Sequence, residues 1–197
     1  MRGFREALRA SVSSWLALHE SCETALESHY RLLLKWNRVV NLTKVTKLDE
    51  AVGMHYAESL FLGWCCPVRP STLVDVGSGA GFPGFPLAAL WPDCEVTLVE
   101  SDARKAAFLR ESRDLLPNLK VFNGRAEDLD GPFGAVVSRA VRPEDVVSFA
   151  RGRAPRVGLL IAESAEAVLP LENTRSFVVP GGGRGVALWG EVSRGTK

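Results

Sequence analysis

The sequence predicts an α/β fold built on a mostly parallel sheet, and three features of the chain predict it. Beyond Pro70, short apolar runs alternate with stretches of helical periodicity. One of those runs ends in an acid, Asp75, and gives way to glycines alternating with small residues. Before Pro70 the periodicity is helical, so a helical extension precedes the sheet.

The elements follow in chain order. Phe4, Leu8, Val12, Trp15, Leu16 and Leu18 recur at helical spacing, as do Ala25, Leu26, Tyr30, Leu33, Leu34 and Trp36. Asn37 and Asn41-Leu42-Thr43 mark a break, and Leu48, Val52, His55, Tyr56, Leu60 and Phe61 resume the pattern. Glycine and prolines between Gly63 and Pro70 set a boundary. The chain is therefore read as an extension over 1–66 packed on an α/β domain over 67–197. Strands are expected at Thr72 to Val76, Glu95 to Val99, Lys120 to Phe122, Ala135 to Ser138 and Val157 to Ala162. Helices are expected at Pro83 to Trp91, Asp102 to Leu116 and Pro143 to Arg151. Such alternation implies parallel strands joined by right-handed crossovers. Ser176 to Val179 and Gly185 to Val192, joined through Pro180-Gly181-Gly182-Gly183, read as a closing antiparallel hairpin.

Composition narrows the class. With 197 residues, 46% hydrophobic and 24% charged, the chain can bury a core without disulfide or metal. A net charge of +1 predicts no polyanion partner by itself. The basic residues are mostly arginine, 18 against 6 lysines, and arginine forks onto phosphate and stacks on bases. Cys22, Cys65, Cys66 and Cys94 lack metal-ligand spacing and are read as reduced thiols. The opening Met1-Arg2-Gly3-Phe4-Arg5-Glu6 lacks a leader pattern, and no apolar run reaches membrane-spanning length. A cytoplasmic protein without membrane or metal partners is expected.

The most informative segment is Asp75-Val76-Gly77-Ser78-Gly79-Ala80-Gly81-Phe82-Pro83-Gly84. Glycines directly after a strand allow a tight turn and bring a ligand against main-chain N–H groups at a helix start. Gly79 to Gly84 also satisfies the dinucleotide G-x-G-x-x-G pattern, so a nicotinamide cofactor and a sulfonium methyl donor both stay open. Asp75 favours the methyl donor: a carboxylate there can orient the loop or meet an ammonium, whereas a pyrophosphate gains nothing from it. Glu100, ending the next strand, can accept both ribose hydroxyls of either cofactor. Gly124-Arg125-Ala126-Glu127-Asp128 follows the third strand, where an adenine edge passes in such folds. Arg139 follows the fourth strand, at the edge where open α/β sheets bind ligands. Arg31, Lys35, Arg38, Lys44 and Lys47 form a basic run that suits either RNA contact or a solvated helix face. His55, among apolar residues, suits a hydrogen-bonded core position as well as a ligand contact.

Together these residues resemble the RsmG family, also called glucose-inhibited division protein B. The resemblance runs from about residue 25 to 142, through Lys35-Trp36-Asn37, Asn41-Leu42-Thr43, His55 and Glu58-Ser59-Leu60, where the family usually has aspartate before serine. It is closest over Asp75 to Leu87 and continues through Glu100-Ser101, Lys105, Phe108-Leu109, Arg125-Ala126-Glu127 and Ser138-Arg139-Ala140. It implies a Rossmann-like class I methyltransferase fold that uses S-adenosyl-L-methionine to methylate guanine N7 in 16S ribosomal RNA. The candidate cofactor residues are then Asp75, Gly77, Ser78, Gly79, Gly81, Phe82, Glu100, Ser101, Ala126, Glu127 and Arg139. Arg139 is the candidate catalytic residue, donating toward guanine O6 or a flanking phosphate. Lys35, Asn41, His55 and Arg142 are candidate RNA contacts. The implied partner is 16S rRNA or a 30S assembly particle, met by a monomer. Gly134 stands where the family commonly has an acid, Ile161-Ala162-Glu163-Ser164 where it has lysine-glycine, and Trp189-Gly190 where the final strand often carries lysine. Two other classes are weighed: a non-catalytic rRNA-binding assembly module, raised by Glu163, and a nicotinamide oxidoreductase. Against the latter, the chain has no Tyr-x-x-x-Lys pair.

Overall fold

The computed structural model describes residues 3–162, 169–181 and 185–193, which leaves Glu163, Ser164, Gly182 and Gly183 outside the described residues. The helical pattern at the start resolves into α1 (Phe4–Val12), α2 (Glu20–Trp36), α3 (Leu48–Ala51) and α4 (Glu58–Trp64), with a π-helical turn at Val52–Ala57 between the last two. Trp15, Leu16 and Leu18 fall in the α1–α2 connection and still pack against the core. α2 is capped at its N-terminus by His19, whose ring accepts the Ser21 N–H, and Glu20 and Glu23 sit in its first turn, where the helix dipole favours acids.

Beyond Pro70 the sheet contains β1 (Thr72–Val76), β2 (Glu95–Glu100), β3 (Leu119–Asn123), β4 (Ala135–Arg139), β5 (Arg156–Ala162), β6 (Leu171–Val178) and β7 (Gly185–Val192). Between them lie α5 (Gly84–Leu90), α6 (Ala103–Arg113) and α7 (Pro143–Ala150). The strand order is β3-β2-β1-β4-β5-β7-β6, parallel from β3 through β5, with β7 antiparallel to both β5 and β6. The expected hairpin is present, and its first strand begins earlier than Ser176 because Leu171 already pairs with Val192. β1 lies central, with its carboxyl end at the point where the order reverses direction, the place such sheets use for ligands.

Two hydrophobic clusters cover the faces of the sheet. One is built from α7 with Val74, Val136, Val157 and Leu188. The other joins Phe4, Leu8, Leu26, Leu33, Tyr56 and Leu60 of the helical segment to Phe85, Leu98 and Phe108 of the α/β part. The helices before residue 67 therefore supply one wall of the core. Trp189 of β7 belongs to this cluster, not to a surface: it is buried, and its indole N–H donates to the Leu62 carbonyl of α4 at 2.8 Å. Gly134 also has a packing reason. Its N–H donates to Thr72, and a Cβ there would lie 2.8 Å from the Thr72 carbonyl oxygen and 2.9 Å from Pro70. An acid does not fit that approach.

Arg9 forks onto the buried Glu23 with both contacts at 2.6 Å, tying α1 to α2. Burial pushes the Cys22 and Cys65 thiols up to about 12 and Cys94 to about 11, so they stay protonated at neutral pH. Among the described residues, no helix is long and apolar enough to cross a membrane.

Trp189→Phe removes the donor to Leu62 and leaves a void beside a buried carbonyl. It is expected to lower unfolding free energy by about 2–3 kcal/mol, read from denaturant melts. A loss below ~0.5 kcal/mol would show that the β7–α4 contact does not hold the helical segment in place.

Candidate active site

The glycine loop is fastened from below by Asp75. Its side chain is fully buried, and Oδ2 accepts the Gly84 N–H at 2.9 Å. Oδ1 has no hydrogen-bond partner among the described residues. Burial, only partly offset by the Gly84 bond, pushes the carboxyl from 3.8 up to about 7. Of the two expected roles, loop orientation is the one the geometry displays. Contact with a ligand's ammonium is not, because the carboxylate is sealed under the loop.

The loop's N–H groups are largely spent inside the protein. Ser78 N–H reaches the Val99 carbonyl, Gly79 N–H reaches Glu100, and Gly81 and Phe82 N–H both reach the Ser78 carbonyl. Gly84 is held by Asp75, Phe85 N–H by the Gly81 carbonyl, and Pro83 has no N–H to offer. This corrects the expectation that these amides face a ligand. It also leaves the start of α5 without the free donors that a pyrophosphate requires.

Ser78 is likewise structural. Its hydroxyl donates to the Asp75 carbonyl and accepts the Val99 N–H, so it stitches β1 to β2 and is only 2% exposed. Phe82 was expected to line a cofactor; instead its ring is buried among His55 at 4.8 Å, Tyr56 at 5.1 Å and His29 at 5.4 Å.

The remaining candidates gather around a cleft. Gly77, Ser101, Ala126 and Glu127, with Val76, Val99, Gly124 and Arg125, enclose about 330 Å³ at the carboxyl ends of β1, β2 and β3. Gly77 has φ +71°, and a Cβ there would strike Val141 at 2.5 Å, so the close turn requires glycine. Glu100 is 7% exposed at the end of β2 and grips two amides, Gly79 at 2.9 Å and Asp102 at 2.8 Å. Each oxygen retains a further lone pair.

A second cleft of about 430 Å³ opens beyond β4, lined by Glu58, Arg139, Ala140, Leu160, Val179 and Gly185 among others. Arg139 is anchored there. Its Nη1 donates to the Met54 carbonyl at 2.6 Å, and its guanidinium lies 5.2 Å above the Phe82 ring. That carbonyl belongs to the π-helical turn, an element that recurs at functional sites. Ala140 follows with φ +64°, an uncommon conformation for a residue with a Cβ.

The candidate RNA contacts do not share one surface character. His55 is buried at 7% exposure, not presented to solvent. Its Nε2 meets the Thr43 hydroxyl at 2.9 Å, and its ring stacks on Phe82. Burial first, then the charge of Arg139, lowers its pKa to about 4. Lys35 is exposed and pairs with Glu111 at 3.4 Å, while Arg142 pairs with Asp145. Arg31 and Lys47 also have acidic partners, on Glu27 and Glu50. Arg38 and Lys44 form no ion pair among the described residues, and with Asn41 they sit exposed on one loop. Asn37 shapes that loop by accepting the Leu42 and Thr43 N–H groups and donating to the Thr43 carbonyl.

His29 was missed by the sequence reading. It is fully buried, stacked on Phe85 at 4.1 Å, with Nδ1 at 2.9 Å from the Tyr56 hydroxyl. A Cβ on Gly81 would lie 3.1 Å from its Nε2, so α2 presses directly on the glycine loop. Burial lowers its pKa to about 3 and keeps it neutral. The signal was present: Cys22, Leu26, His29 and Leu33 share one apolar stripe.

These groups give opposite pH contributions. Asp75 has a raised folded pKa, so its stabilising contribution is complete below about pH 4 and lost by about pH 7. His29 and His55 have depressed values, so their contribution is complete above the ordinary 6.5 and lost as pH falls toward 4 and 3. Asp75→Asn keeps an acceptor for Gly84 and removes only the first effect. Its stability advantage over the native chain should widen from pH 4 to 7, toward a ceiling of about 4 kcal/mol, then level off. Paired denaturant melts across that range test this, and a pH-independent difference would assign the titration elsewhere.

The family model described as GidB, rRNA small subunit methyltransferase G, matches residues 22–157. A relative from Syntrophobacter fumaroxidans, named ribosomal RNA small subunit methyltransferase G 1, is 41% identical over 128 residues, covering 60% of this chain and 58% of the relative. One from Lachnoclostridium phytofermentans is 40% identical over 124 residues, covering 58% of this chain and 51% of the relative. One from Halorhodospira halophila is 39% identical over 147 residues, covering 73% and 69%. The chain thus spans roughly half to two thirds of the length of these relatives. Among solved structures, TrmN from Thermus thermophilus superposes with TM-score 0.51 at 18% identity, over 68% of this chain and 48% of that one. PigF with SAH superposes with TM-score 0.54 at 15% identity, over 87% and 68%. These likenesses carry the fold alone, a class I methyltransferase architecture. On the family match, the chain belongs to the GidB family, rRNA small subunit methyltransferase G.

Proposed function

We propose that this chain transfers a methyl group from S-adenosyl-L-methionine to N7 of a guanine in small-subunit ribosomal RNA, with residues 67–197 holding the donor and residues 1–66 bracing the loop. One observation carries the choice of cofactor. The Asp75 carboxylate, carried on β1, accepts the first N–H of α5, where a dinucleotide's pyrophosphate would sit, and the N–H groups of Ser78, Gly79, Gly81, Phe82 and Phe85 are already bonded within the protein. A pyrophosphate there would find those donors already spent.

The residues present fit the donor. The turn at Gly77, where a Cβ would strike Val141, opens onto the cleft lined by Ser101, Ala126 and Glu127, and its volume suits a small ligand. Glu100 offers ribose hydroxyls the lone pairs left over from its two amide bonds. When bound, S-adenosyl-L-methionine supplies a methyl group activated by a positive sulfur. Guanine N7 carries an in-plane lone pair and no proton, so the chain needs no general base. Alignment and exclusion of water are what its side chains contribute, an effect worth ~7–11 kcal/mol when near-attack geometry is held. Arg139 donates toward O6 or a neighbouring phosphate, held in place by Met54 and Phe82.

Arg38, Asn41 and Lys44 form the patch proposed to meet the RNA backbone. Whole 16S rRNA or a 30S assembly intermediate is the proposed substrate, met by a single copy of the chain.

Calorimetry should record S-adenosylhomocysteine binding and no heat with NAD. Labelled methyl transfer onto ribosomal RNA from a strain lacking the gene should then mark one guanine. Uptake of NAD with no response to the methyl-donor product would overturn the cofactor assignment. RNA binding without methyl incorporation would favour the assembly-module reading.

Arg139→Ala should reduce kcat/KM for methyl transfer by about 10²-fold, with a smaller effect on S-adenosylhomocysteine affinity. Unchanged transfer would remove Arg139 from the mechanism.

A further inference from the structure

Glu58 has no assigned role in the donor site, yet it occupies an unusual position. It begins α4 directly after the π-helical turn and lines the second cleft, facing Arg139 at 3.8 Å. That separation is too long for a hydrogen bond, and Glu58 accepts no side-chain hydrogen bond from any described residue. Its side chain is 22% exposed, as is that of Arg139. Burial raises the Glu58 pKa, against the opposing pull of Arg139. Arg139 spends one hydrogen bond on Met54, from Nη1; its Nε and Nη2 donate to no described residue. The cleft therefore offers an acceptor-only carboxylate with two vacant oxygens beside a guanidinium with unspent donors.

Among the four RNA bases, guanine alone carries two neighbouring N–H donors followed by a carbonyl on one edge, in the order N2, N1, O6. N7 comes next around the ring. An acceptor and a donor stand side by side in the cleft, as that edge requires. Glu58 lies on the Gly185 side of the cleft, 3.8 Å from a Cβ built on Gly185. Arg139 comes next and reaches over Phe82 of the glycine loop.

We propose that Glu58 is a specificity-determining residue: its carboxylate reads N1–H and N2–H₂ of the target guanine while Arg139 holds O6, which turns N7 toward the glycine loop. This rests on the methyl-transfer reading above and adds the base-reading contact to it. A carboxylate kept half-buried without donors gains them from the substrate. A base lacking the second donor leaves one oxygen unmet, and sites built around hydrogen bonds discriminate most strongly in that way.

The test is calorimetry on the protein saturated with S-adenosylhomocysteine, titrated with GMP, IMP, AMP and UMP. IMP differs from GMP only by the missing 2-amino group. GMP should bind about tenfold tighter than IMP, with AMP and UMP weaker still. Glu58→Gln places a donor against a donor and should bring the GMP-to-IMP ratio to within about twofold. Glu58→Asp keeps the carboxylate and should restore the ranking at lower affinity. Affinity for S-adenosylhomocysteine should be the same in all three proteins, which reports that each is folded. Saturation with S-adenosylhomocysteine but no GMP binding, no GMP preference, or a preference that Glu58→Gln leaves intact would each overturn this inference alone. Failure to bind S-adenosylhomocysteine would overturn the donor assignment beneath it.

Discussion

The hydrogen bond from Gly84 N–H to the buried Asp75 carboxylate is the constraint on which the rest of the site depends. It fixes the end of β1 to the start of α5 across the whole glycine loop. With Asp75 beneath and Glu100 beside it, the loop is gripped by two acids and has little freedom to rearrange around a ligand. Placing an acid there is costly, as its elevated pKa records. The gain is a preformed turn whose shape is set before any ligand arrives.

The helical segment supplies the third side of that grip. Phe82 is enclosed by His29, His55 and Tyr56, so the loop's far end is pinned by rings carried on α2 and the π-helical turn. Asn37, Thr43 and His55 then form a hydrogen-bonded and stacked route from the exposed basic loop to the same ring. Both histidines are held neutral by burial, which lets them pack as aromatic rings against Phe82 without adding charge. The extension is therefore part of the site's framework, and the shared hydrophobic cluster explains why.

The fold was legible because its signals are local. Apolar runs such as Leu73-Val74 and Val136-Val137 proved to be buried strands, and the glycine run marked the loop at the switch point. The grouping of four candidates was legible too, since Gly77, Ser101, Ala126 and Glu127 line one cleft. What the side chains face was not. Ser78 and Gly79 fit a ligand-binding pattern, yet the Gly79 N–H goes to Glu100 and the Ser78 hydroxyl to Val99 and Asp75, so contacts to β2, 21 residues away in sequence, take up those groups. Phe82 and His55 looked like site residues from their motifs, whereas tertiary packing from the first helices buries both. Gly134 read as a lost acid, and only the approach of β1 shows why no side chain fits.

The π-helical turn at Val52–Ala57 has a geometric consequence for everything that follows it. A turn of this kind accommodates one residue more than an α-helix would over the same rise. Each residue rotates a helix by about 100°, so the extra one swings the whole face of α4 around its axis. Were the segment regular, Glu58 would point elsewhere on the helix and Leu62 would leave Trp189. The bulge thus acts as a spacer that sets the phase of α4 against the sheet, coupling the aim of a cleft-lining acid to the docking of β7.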